Sequence, residues 1–81
     1  MGSGERMKAR QFKFNGLMVK MLRRQMGIGY RELAKRSGLT ERQILLIESG
    51  RTRDPRLSTM CAIAQELSIP VEQLIFEVPQ K

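Results

Sequence analysis

The chain has 81 residues, with fifteen Lys and Arg against eight Asp and Glu, giving a formal net charge of +7 and no histidine at all. Without His, and with Cys61 as its single cysteine, it lacks the usual general base, the commonest metal ligand and the material for a disulfide framework. Hydrophobic residues at 41% and charged residues at 28% are globular proportions, and no apolar run nears the roughly 20 residues of a membrane span. One domain is expected at this length. The opening MGSGER lacks the apolar core of a signal peptide and reads as an appended or frayed tail. A free thiol without bridges fits a reducing cytoplasm.

Residues 1–10 read as a flexible basic tail and residues 11–78 as a single domain. Phe12 and Phe14 alternate with polar residues, the pattern of a short strand or packed arm. Asn15 can cap a first helix from Gly16 to about Met26, with Val19, Leu22 and Met26 as its apolar stripe. Gly27 and Gly29 then turn the chain into a second helix, Tyr30 to Ser37, with Leu33 and Ala34 facing inward. Gly38 stops that helix in the left-handed conformation glycine accepts without penalty.

Thr40 is a good N-cap for a third helix, and Glu41 sits favourably at its positive end. That helix runs to about Ser49, with Ile44, Ile47 and Leu45 or Leu46 apolar. Gly50 ends it, and Arg51–Pro55 forms a basic loop. A fourth helix starts at Arg56 or Leu57 and carries Leu57, Met60, Ile63, Ala64 and Leu67 on its inner stripe. Cys61 is expected at or near the core, as are Met18, Met21 and Met26. Ser68 and Pro70 mark a break, after which a short fifth helix is expected from Pro70 or Val71 to Leu74 or Ile75. The final IFEV alternates and can pair with Gln11–Phe14. The fold class is all-α, with five short helices and a small pair of terminal strands allowed.

Charge is unevenly spread. Residues 1–56 hold fourteen Lys and Arg and five Asp and Glu, a net of +9, whereas residues 57–81 carry a net of −2. A field of that sign draws polyanions, of which nucleic acid is the commonest.

Two short helices joined by a tight glycine-containing turn are the helix-turn-helix pattern. Ala34 is small where the next helix crosses closest, and Gly38 supplies the turn four residues on. Ile44 and Ile47 seat the third helix, leaving free a face that begins with Glu41, Arg42 and Gln43 and includes Leu46. In such motifs the first residues of the second helix meet base edges in the major groove.

The segments RELAKRSGLT, IESGR and PRLSTMCAIAQELSIPVEQL together resemble the phage-repressor-like (Cro/C1, XRE) helix-turn-helix family, over about residues 16–75. The resemblance implies a sequence-specific regulator of double-stranded DNA, a small repressor or activator. It would act as a homodimer on a near-palindromic site, in the cytoplasm of a prokaryote or as a phage product. It assigns base reading to Glu41, Arg42 and Gln43, with Leu46 one turn further. Tyr30 and the adjoining Arg31 fall where the family touches phosphate, and Arg51, Thr52, Arg53 and Arg56 in the loop that grips the backbone. Arg23 and Glu48 match a pair that often forms a partly buried salt bridge.

The chain departs from the pattern at Leu45 and Leu46, positions that are more often polar, and Glu41 repels phosphate unless it caps the helix or accepts from cytosine. An apolar recognition helix also suits a protein groove, so an antitoxin-like or other protein-interaction module is the competing reading. Leu17, Met18 and Met21, with Phe12, Phe14, Ile75, Phe76 and Val78, offer more apolar surface than five short helices bury. A dimer interface, or the arm packed over the first helix, accounts for it. No nucleophile–base pair, metal cluster or phosphate-cradling loop is present, so no enzyme, cofactor, metal or small-molecule substrate is expected.

Overall fold

The computed structural model describes residues 10–79. β1 (Phe12–Phe14) leads into α1 (Gly16–Gln25), α2 (Tyr30–Ser37), α3 (Glu41–Glu48) and α4 (Leu57–Glu66). A single 3-10 turn, Val71–Leu74, then delivers β2 (Ile75–Glu77). Apart from Arg10, the basic tail expected at residues 1–10 lies outside the described residues.

Local chemistry sets the helix boundaries. Asn15 Oδ1 accepts from the Met18 N–H at 3.1 Å and starts α1. The four helices finish alike, with a left-handed residue just past the end: Gly27 (φ 74°), Gly38 (φ 76°), Gly50 (φ 81°) and Ser68 (φ 58°). In each, the next residue's N–H reaches back to satisfy an orphan carbonyl: Ile28 to Arg23, Leu39 to Ala34, Arg51 to Leu46 and Ile69 to Ala64.

The core takes residues from every helix. Val19, Leu33, Ala34, Ile44, Ile47, Ile63, Ala64, Leu67 and Leu74 are all buried, and Phe14, Met18, Leu22, Ile28 and Tyr30 pack against them half-buried. Gly16 lets α1 and α3 approach closely, because a Cβ there would collide with the Ile47 carbonyl oxygen. Arg23 and Glu48 join the same two helices inside the core and are the buried charged residues among those described.

The strands pair antiparallel, Phe12 with Glu77, Lys13 with Phe76 and Phe14 with Ile75. The ladder is extended at both ends, the Asn15 N–H donating to the Leu74 carbonyl at 2.7 Å and the Val78 N–H to the Gln11 carbonyl at 2.8 Å. This geometry explains why there are four α-helices and not five. Leu74 is buried and its carbonyl is bound to β1, so the chain must be extended by Ile75. Only one tight turn fits between Pro70 and that point.

Three further expectations on burial are corrected. Leu57 is 65% exposed, because it is the first residue of α4 and precedes the helix's contact with its neighbours. Met26 is exposed as the C-cap of α1, where the chain already turns away, and Met21 is exposed on that helix's outer face. Cys61 is exposed too. It sits one helical step, about 100°, from the half-buried Met60 and off the stripe of Ile63, Ala64 and Leu67. Pairing of the arm half-buries Phe14 and Ile75 but leaves Phe12 and Phe76 exposed.

Candidate nucleic-acid interface

The α2–α3 turn places the candidate residues. Ala34 is 2% exposed where the helices cross, and Gly38 adopts the left-handed conformation that brings Thr40 into capping position. Thr40 Oγ1 accepts from the Gln43 N–H at 3.0 Å, while Gln43 Oε1 accepts from the Thr40 N–H at 2.8 Å. This reciprocal capping box holds the first turn of α3, the part of such a helix that meets DNA bases. The inner face of α3 is occupied by Ile44, Ile47 and Glu48, leaving Glu41, Arg42 and Gln43 exposed and Leu46 half-buried.

The loop after α3 is tied to the helix through one atom. The Leu46 carbonyl accepts from both the Arg51 N–H (2.9 Å) and the Thr52 N–H (3.0 Å). The loop therefore folds back alongside α3, and Gln43, Leu46, Thr52, Asp54, Arg56 and Thr59 line one shallow cleft. Two residues expected to read bases thus share a surface with two expected to hold phosphate. Thr59 was not singled out by the sequence, although its place in the first turn of α4, just after the basic loop, was a usable signal.

A second group joins the starts of α2 and α3. Arg31 Nε lies 3.4 Å from Glu41 Oε1, and the Arg31 guanidinium stands 5.8 Å from the Tyr30 ring centroid, within reach of a cation–π contact. Glu41 at the first position of α3 is thereby partly neutralised, which lowers the repulsion it would offer a phosphate. The Tyr30 ring packs half-buried against the core, so its body fixes the start of α2.

The cations divide by partner. Arg10, Arg31 and Arg36 face Glu77, Glu41 and Glu32. Arg42, Arg51, Arg53 and Arg56 are exposed and make no salt bridge among the described residues. These four arginines lie on α3 and the loop that follows it, with Asp54 as the carboxylate that shares their clefts, and a local excess of positive charge of this kind attracts a polyanion. Arg53 also shares a depression with Gln11 and Lys13 of the N-terminal arm, which brings Lys13 to the edge of this surface. No sequence signal could have placed Lys13 there, since its position depends on the pairing of β1 with β2.

Arg23 is basic but belongs to the interior. Its Nε and Nη2 donate to Glu48 Oε2 and Oε1 at 2.7 and 3.0 Å, and its Nη1 donates to the Ile28 carbonyl at 3.0 Å. The salt bridge expected between these two residues is thus present and structural. Among the described residues no group of three or more His, Cys, Asp or Glu could hold a metal ion, and no helix is long and apolar enough to cross a membrane.

A helix-turn-helix family model matches residues 19–74. Among solved structures, SinR, described as the master regulator for biofilm formation and crystallised in complex with DNA, has a TM-score of 0.70 at 24% identity, covering 73% of this chain and 94% of that one. The N-terminal DNA-binding domain of SinR from Bacillus subtilis gives the same TM-score of 0.70 and 24% identity, covering 73% of this chain and 86% of that one. At that identity the likeness speaks for the fold. No curated protein sequence matches the chain. The family match spans well over half the chain and takes in the whole α2–α3 turn, so the chain belongs to the Cro/C1-type (XRE) helix-turn-helix family of DNA-binding transcription regulators.

Proposed function

We propose that this chain is a sequence-specific regulator of double-stranded DNA, with residues 11–78 as the binding unit and α3 entering the major groove. The observation that carries the reading is the shared cleft. Gln43 and Leu46 on α3 line it together with Thr52 and Arg56 of the loop, and Arg42, Arg51 and Arg53 on the same two segments are exposed with no salt bridge among the described residues. Base edges would meet Glu41, Arg42, Gln43 and Leu46. Phosphates would meet Tyr30, Arg31, Arg51, Thr52, Arg53 and Arg56 on either side. That SinR was crystallised with DNA supports the same mode of use.

A two-fold homodimer is the natural way to use so small a reading surface. It would set two α3 helices about one DNA turn apart, roughly 34 Å, on a near-palindromic site. Exposed Phe12, Leu17, Met21 and Phe76 supply apolar surface for such an interface. Selection from a random duplex pool at near-physiological salt tests the whole reading. The expected result is a two-fold motif with half-sites about 10 base pairs apart. An unenriched pool leaves only charge-driven binding and sinks it.

A second reading, a protein-interaction module of antitoxin type, is favoured by Leu45, which is 45% exposed on α3 itself. It predicts a stable co-purifying partner from the native host, and the absence of one together with an enriched DNA motif removes it.

A further inference from the structure

We infer that Gln43 reads its base as a hydrogen-bond donor alone, favouring a keto base (guanine or thymine) over an amino base (adenine or cytosine) at one position of the DNA site. The inference rests on the DNA-binding reading above and adds to it the chemistry of one contact.

A free glutamine offers a carbonyl and an amide N–H2 side by side, which matches the N6 donor and N7 acceptor of adenine. Gln43 is not free. Its Oε1 accepts from the Thr40 N–H at 2.8 Å, and Thr40 Oγ1 accepts from the Gln43 N–H at 3.0 Å. The Thr40 N–H lies at the helix start, where no intrahelical carbonyl can serve it. Turning the carboxamide round to present Oε1 to a base would leave that N–H unsatisfied as DNA closes over it and excludes water. With Oε1 drawn back to the backbone, Nε2 is the end of the planar amide left to reach outward.

Gln43 is exposed and lines the cleft with Leu46 and Arg56, so an outward donor has somewhere to act. Guanine offers two acceptors in the major groove, O6 and N7, and thymine offers O4. Cytosine offers only the N4 donor there, and adenine sets its N6 donor beside N7. The capping box therefore acts as a positioning device, with Thr40 holding Gln43 in its donor orientation.

The test is base preference, because overall affinity would fall with any loss of structure. Gln43→Glu keeps the capping box, since glutamate serves equally at this position. It replaces the outward N–H2 by a carboxylate oxygen, an acceptor. Selection from a random duplex pool with wild-type and Gln43→Glu protein should show G or T at one position of each half-site changing to C or A. The swing should be about three- to tenfold, the worth of one hydrogen bond. Gln43→Ala should flatten that position and leave the rest of the motif, and it decides the matter if Gln43→Glu melts too early to be used. Adenine selected at that position by the wild type overturns the inference, as does a motif that neither variant alters. A wild-type pool without enrichment overturns the DNA reading itself and this inference with it.

Discussion

Arg23 of α1 and Glu48 at the end of α3 meet through two hydrogen bonds, at 2.7 and 3.0 Å, with side chains only 9% and 5% exposed. A third bond, from Arg23 Nη1 to the Ile28 carbonyl, fastens the pair to the turn before α2. One guanidinium thus fixes the entry of α2 against the last turn of α3, the two helices of the candidate interface. Hydrogen bonding to Glu48 is the main cause that holds Arg23 above its ordinary pKa, against the opposing effect of burial. A raised cation keeps its stabilisation below its unfolded value and loses it only as pH rises through its folded value, so titration to about pH 10 leaves this contribution intact.

Glu48→Ala leaves a buried guanidinium without its counter-charge and is expected to destabilise the fold by about 3–5 kcal/mol. The double variant Arg23→Met with Glu48→Leu replaces the pair by apolar side chains and should lose far less. Urea unfolding followed by circular dichroism checks both. Equal losses in the single and double variants would show that packing, and not the stranded charge, sets the cost.

Gly16 and Gly29 predict opposite responses. A Cβ at Gly16 meets the Ile47 carbonyl oxygen, whereas one at Gly29 meets nothing within 4 Å. Gly16→Ala therefore forces α1 away from α3, at about 1–3 kcal/mol. Gly29 is the N-cap of α2 and supplies no side-chain hydrogen bond. Gly29→Ser adds one and should leave stability level or raise it by up to about 0.5 kcal/mol. Thermal melts should show a fall for Gly16→Ala and none for Gly29→Ser; an unchanged melting point for Gly16→Ala refutes the close-approach argument.

Ser68 closes α4 at φ 58°, where the other three helices use glycine. A left-handed residue with a Cβ costs about 1–2 kcal/mol, partly recovered here because Gly carries more chain entropy when unfolded. Ser68→Gly is expected to raise stability by about 0.5–1 kcal/mol. A fall in the urea midpoint would mean that the Ser68 side chain makes a contact worth more than the strain.

Arg42 and Arg53 are both exposed and make no salt bridge among the described residues, yet Arg42 lies in the first turn of α3 and Arg53 in the loop after it. Arg42→Ala should relax preference at one or two base positions by about 1–3 kcal/mol of discrimination. Arg53→Ala should weaken all duplexes alike and lower the salt slope by about one unit. Fluorescence anisotropy titrations over a salt series, on the selected site and a scrambled duplex, measure both. The same uniform loss from each change would abolish the division into base readers and phosphate holders.

Much of this was legible in the chain because it is written locally. Asn15, Thr40, Gly38 and Gly50 act within one turn of themselves, so the limits of α1, α2 and α3 follow from capping and left-handed closure with little outside help. The inward Val19, Leu33, Ile44 and Ile63 follow from helical period. The capping partner Gln43 was present in the same short span, as the second half of a Thr-x-x-Gln box.

What local reading could not decide were the positions fixed by distant partners. Leu57 and Cys61 have apolar character but are exposed among the described residues. The expected fifth helix becomes a single turn because the Leu74 carbonyl is bound by Asn15, 59 positions earlier in the numbering. Lys13 comes beside Arg53 for the same reason, through strand pairing. The helix-turn-helix spacing and the sign of its field were already written in the chain, since caps, glycines and charges act over a few residues. Packing settled which arginines have a carboxylate within reach among the described residues, as Arg31 has Glu41, and where the arm lies, because each depends on groups distant in the chain.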